Sequence, residues 1–204
     1  MADFFKEAFD EENSVDGELF LRQKEEARKL FFKKLLFTFI FLAGSFALSL
    51  ISIKVKDADI ICLSGAIPVF LCGILCGGPW GFAAGAISPL LKLIFLNDIP
   101  LFPDTVLLCF EFAVFSCLGG YLYKAMPKKL YFAEINALIS YLSAKLAYSV
   151  VYYFEKMFSE NIMTGFLSVF KDSLLTSLPG LIILLAGLPV FLFLFKKFKM
   201  IINQ

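Results

Sequence analysis

Long apolar runs, each close to twenty residues and separated by short connections, leave this chain few folds to choose from. Six can be drawn: Leu35–Ile53, Ile60–Gly77, Trp80–Leu96, Asp104–Met126, Leu130–Phe154 and Leu174–Phe195. About 20 apolar residues wound as a helix cross the hydrocarbon of a bilayer. Helices satisfy their own backbone there, which an open sheet cannot do. Of the 204 residues 59% are hydrophobic and the mean hydropathy is +0.80, against about 45–50% apolar in a soluble domain. The expected fold is therefore all-α: one six-helix transmembrane bundle over 33–204, with a cytoplasmic tail or surface helix at 1–32.

Orientation follows from where Lys and Arg fall. One side of the membrane receives Arg28, Lys29, Lys33 and Lys34, then Lys124, Lys128 and Lys129, then Lys196, Lys197 and Lys199. The other receives only Lys54, Lys56, Lys156 and Lys171. Both termini are expected in the cytoplasm of a multi-pass cell-membrane protein. Residues 1–30 are highly charged, and the first apolar run lacks a small-residue cleavage site, so no cleavable signal peptide is expected.

Absences narrow the chemistry. The chain has no histidine, which removes His-ligated haem, HExxH zinc hydrolases and a Ser–His or Cys–His nucleophile. No phosphate-binding Gly-x-x-x-x-Gly-Lys-Ser/Thr loop occurs; Gly77-Gly78-Pro79-Trp80-Gly81 reads as a tight turn between spans. Any ATP used must be hydrolysed by another chain. The five cysteines all lie in spans, where cysteine behaves as a small hydrophobe. No metal, cofactor, enzymatic activity or nucleic-acid partner is expected.

Against this apolar background three charges stand out: Lys92, Glu111 and Lys145. An ionisable residue inside a span is costly and marks function by default. By helical rise, Glu111 lies about 10 Å and Lys145 about 12–14 Å from the outer ends of their spans, and Lys92 about 6 Å, where it can also snorkel. They point to an outward-opening polar pocket; the competing reading is a Glu111–Lys145 pair with no ligand. In span 5 Glu134, Tyr141, Lys145, Tyr148 and Tyr152 share one stripe, with Asn136, Ser140 and Ala147 opposite. Pro68, Pro89, Pro179 and Pro189 interrupt spans and free carbonyls. The proline-stiffened connection from Asn97 to Pro103 either caps the pocket or is a plain turn.

Lipid gives helices no hydrophobic reason to associate, so small residues mark contact faces. Gly81, Gly85 and Ser88 form such a stripe in span 3, and Cys109, Ala113, Cys117 and Gly120 another in span 4. Ala43 and Ala47 in span 1 form a third, available to a neighbouring helix or a partner protein.

The run Ile67-Pro68-Val69-Phe70-Leu71-Cys72-Gly73, then Gly78-Pro79-Trp80-Gly81, Gly85-Ala86-Ile87-Ser88-Pro89-Leu90-Leu91, Ile99-Pro100-Leu101-Phe102-Pro103, Phe110-Glu111-Phe112-Ala113 and Gly119-Gly120-Tyr121-Leu122-Tyr123 resembles the substrate-binding (S) components of energy-coupling factor vitamin transporters. The resemblance covers most of residues 60–190 and looks nearest to a pantothenate-type subgroup. Gly65-Ala66 departs from a Met-His often found there, and Lys145 stands where arginine is frequent, keeping the charge without the two-pronged geometry. The resemblance implies six helices around an outward vitamin pocket, an Ala-x-x-x-Ala stripe (here Ala43 and Ala47) docking a transmembrane T subunit, and two cytoplasmic ATPases.

On that basis the chain is expected to be the vitamin-capturing subunit of an ATP-driven importer, with pantothenate as the candidate vitamin. Lys145 would meet an anionic group, and Glu111 would accept hydrogen bonds or orient Lys145. Tyr148, Pro68, Tyr141, Lys92 and Asn97 would line the pocket, and the 97–103 loop would close it. A self-contained ion-coupled carrier, with Glu111 as its protonatable group, is the alternative, although no inverted repeat is evident. A membrane assembly factor whose charges pair only with each other is a third.

Overall fold

The computed structural model describes residues 2–53, 58–96, 101–127, 130–159, 165–178, 181–182 and 184–189. Its elements are α1 (Ala2–Ile53), α2 (Ala58–Cys76), α3 (Gly78–Leu96), a wide π-helical turn (Leu101–Thr105), α4 (Val106–Ala125), α5 (Leu130–Ser159) and α6 (Phe166–Thr176). No strand occurs among the described residues, so the all-α expectation holds. Among the described residues, two stretches suffice by length and composition to cross a membrane, Arg22–Ser49 and Phe102–Ala125, and Gly65–Cys76 is a shorter apolar helix. The chain divides into two units, Met1–Leu36 and Phe37–Gln204.

In the first unit the helix runs from Ala2, where the sequence suggested a tail or surface helix at 1–32. Its described side chains are exposed except the half-buried Lys34 and Leu35, and the Arg28 guanidinium lies 5.8 Å from the centre of the Phe32 ring.

The second unit holds two buried clusters. One joins Phe41 and Leu42 of α1 to Val69, Leu71, Cys72, Leu75 and Cys76 of α2 and Ala84 of α3. The other joins Phe70 and Ile74 of α2 to Phe112 and Phe115 of α4, Ala137 and Tyr141 of α5, and Leu184 and Leu188 near the C-terminal end. Phe70 and Phe115 stack with ring centres 4.5 Å apart.

Glycine lets α2, α3 and α4 meet backbone to backbone. A Cβ on Gly73 would stand 2.1 Å from the Ser116 carbonyl oxygen, and one on Gly120 would stand 2.4 Å from that of Gly73. On Gly85 it would meet the Phe112 carbonyl oxygen at 2.4 Å. The span 3 stripe thus packs on α4, as its small residues suggested. The turn between α2 and α3 is a single residue, Gly77, at φ 103°, a left-handed conformation that glycine adopts without a Cβ clash. Buried hydroxyls bind the helices further: Ser116 donates to the Val69 carbonyl (2.6 Å), and Ser45 reaches the Gly65 carbonyl (2.7 Å) and the Ser88 hydroxyl (2.6 Å).

Differences from the sequence reading sit at element ends. α5 runs on to Ser159, five residues past the drawn span. The run begun at Leu174 starts instead inside α6, which ends at Thr176; Ser177 is a turn, and Leu178 and the described residues 181–182 and 184–189 are helical again. Residues 190–195 of the drawn sixth span lie outside the described residues.

Candidate functional site

Glu111 arises from the second turn of α4 and Lys145 from the middle of α5. Two contacts set their register. Tight α3–α4 packing turns the Glu111 face of α4 inward, and Asn136 clamps α5 to α4 by donating from Nδ2 to the Gly119 carbonyl (2.9 Å). Ser140 in turn donates to Asn136 Oδ1 (3.1 Å), and both residues are fully buried. From there Lys145 lies about 13 Å further along α5 by helical rise.

The outcome is an ion pair: Lys145 Nζ stands 2.7 Å from Glu111 Oε1, with only 7% and 6% of the two side chains exposed. At that distance and burial the bond is charge-assisted and strong. Neither ion is tolerable there alone, because an uncompensated buried charge costs several kcal/mol. Lys145 Nζ also lies 5.9 Å from the Tyr141 ring centre and 5.4 Å from that of Tyr148. Tyr148 stacks on Tyr152 (6.1 Å, 10° between planes), and Lys156 Nζ lies 5.8 Å from the Tyr152 ring. Tyr141 donates its hydroxyl to the Leu174 carbonyl of α6 (3.3 Å), and Tyr153 meets Phe166 edge-on at 6.1 Å. α6 therefore runs beside this stripe of α5. The pair offers a ligand a carboxylate already paired with an ammonium, π faces suited to a cation or flat ring, and a lysine engaged in turn by that carboxylate.

The structure thus brings together Glu111, Lys145, Tyr141 and Tyr148. It does not bring Lys92 to them: Lys92 is half-buried on α3 and makes no ion pair among the described residues. Pro68 is buried on α2 and faces Gly44 of α1, where an added Cβ would lie 3.9 Å from the Pro68 Cβ. Asn97 and the connection through Pro100 lie outside the described residues, while Phe102 after them is 65% exposed. Ala43 and Ala47 are both exposed on α1. The hydroxyl and amide clamps had no assigned role in the sequence reading. The only signal for Asn136 and Ser140 was their spacing of four on one face of an apolar helix.

A helical membrane protein with a polar pair enclosed between two helices has the build of a solute-handling subunit. The chain matches the model of the family described as Thiamine transporter protein (Thia_YuaJ) over residues 35–173. That is more than half of its length and includes Glu111 and Lys145, and the chain belongs to this family of energy-coupling factor S components. No curated protein and no solved structure matches it significantly. The match lends no support to the pantothenate-type subgroup; it points to thiamine transporters instead.

Proposed function

We propose that this protein is the thiamine-capturing membrane subunit of an ATP-driven importer, multi-pass with both termini cytoplasmic, working with a T subunit and two ATPases. The observation that carries the reading is the enclosed Glu111–Lys145 pair within the matched region. Thiamine is a cation with an aminopyrimidine ring and has no carboxylate. Glu111 accepts a hydrogen bond from the aminopyrimidine amine, Lys145 holds the Glu111 carboxylate in place, and Tyr148 offers its face to the thiazolium. A carboxylate vitamin such as pantothenate would first have to break the 2.7 Å pair to reach Lys145.

The test is calorimetry on the full chain in mild detergent, with thiamine, pantothenate, biotin and riboflavin as separate titrants. Saturable binding of one thiamine per chain and of none of the others is expected. Binding of pantothenate but not thiamine overturns the assignment. Uptake into vesicles that lack any ATPase, driven by a proton gradient, would replace the importer-subunit reading with the ion-coupled carrier.

A further inference from the structure

Among the described residues one buried side-chain oxygen or nitrogen has no hydrogen-bond partner, Oε2 of Glu155. Buried carboxylate oxygens are normally satisfied, because leaving one bare forfeits its solvation. Glu155 follows Lys145 by ten residues on α5. At about 100° per residue it lies about 20° from Tyr148 and about 80° from Lys145 around the helix, at the edge of the stripe they share and one turn beyond Tyr152. Its neighbour in sequence, Lys156, is engaged with the Tyr152 face.

Spacing gives this position a meaning. Ten residues of helix rise about 15 Å. Subtracting a hydrogen bond of about 2.8 Å at each end leaves about 10 Å along the tyrosine faces. That length matches two linked aromatic rings with a short arm. The pair at Lys145 is electrically balanced, whereas Glu155 at the other end is not.

We infer that Glu155 is a specificity residue: it accepts a hydrogen bond from the hydroxyl arm of the bound vitamin and excludes the same vitamin once that hydroxyl carries phosphate. The inference rests on the proposed thiamine function. The hydroxyl supplies the missing donor to Oε2. A phosphate removes that donor and sets an anion against a carboxylate, and such like-charge contacts are an effective means of rejection.

The experiment measures thiamine and thiamine monophosphate affinities for the full-length wild type, Glu155→Gln and Glu155→Asp. Gln accepts from a hydroxyl and donates to a phosphate; Asp retains the charge. In wild type thiamine should bind more tightly than its monophosphate. In Glu155→Gln that preference should shrink by about 10- to 100-fold, the size of one charge-assisted contact, while Glu155→Asp keeps most of it. An unchanged ratio in Glu155→Gln overturns the inference and leaves the thiamine function standing. So does an equal collapse in Glu155→Asp, because charge would then not be the determinant. A wild type that binds neither ligand removes the thiamine function itself, and this inference with it.

Discussion

Lys145 and Glu111 have a double duty that single substitutions confuse and a pair of them separates. Lys145→Met leaves the Glu111 carboxylate enclosed without its partner, so it should lower stability by about 3–5 kcal/mol as well as abolish vitamin binding. The double variant Glu111→Gln/Lys145→Met carries no stranded charge. It should recover most of the melting temperature and none of the affinity, read by thermal unfolding in detergent beside calorimetry. Full recovery of affinity in the double variant would assign the pair to structure alone. These two residues were legible in the sequence because an ionisable side chain amid Leu, Phe and Ala is a rare event with a known cost. Glu155 was not, since a charge near the end of a span is commonplace there and snorkels to water. Lys92 looked like a third member on depth alone, and depth says nothing about the direction a helix face takes.

Between helices, the decisive contacts are made by the smallest residues. Gly73→Ala or Gly120→Ala drives a methyl group into a carbonyl oxygen on the neighbouring helix. Overpacking of this sort costs about 1–3 kcal/mol, and each variant should melt correspondingly earlier than a Gly165→Ala control, whose added Cβ would meet only Ser168 Oγ at 3.7 Å. Asn136→Ala removes the amide clamp and deprives the Gly119 carbonyl of its donor, a loss of about 1 kcal/mol by comparison with other interhelical bonds in membranes. Because that clamp sets the register of α5, thiamine affinity should fall with stability; unaltered affinity would show that the ion pair alone aligns the two helices. Sequence spacing identified the glycine stripes but not the clamps. The partners of Asn136, Ser116 and Ser45 include backbone carbonyls, which every residue has and no sequence distinguishes.

At the scale of the whole molecule, the exposed Ala43 and Ala47 belong to the question of partners. If this face of α1 receives a T subunit, Ala43→Trp and Ala47→Trp should leave thiamine affinity in detergent unchanged. The same variants should abolish ATP-driven uptake when the subunits are reconstituted together; loss of affinity, or undiminished uptake, would move the docking face elsewhere. The family match begins at residue 35, so removing residues 2–21 should leave vitamin affinity as it was in the same titration. Fold class and membrane residence could be read from composition and run length because hydrocarbon imposes them on any chain. The vitamin could not, because one carboxylate, one ammonium and a few phenol rings suit several small molecules. Stiffness, finally, is unevenly shared. Helices α2, α3 and α4 touch through main chain and have no slack to give, whereas α5 is fastened to α4 by an amide clasp and an ionic one. Whatever breathing admits or discharges a guest is therefore confined to the α4–α5 seam, and the clasp that shapes the guest's berth also sets how long it stays.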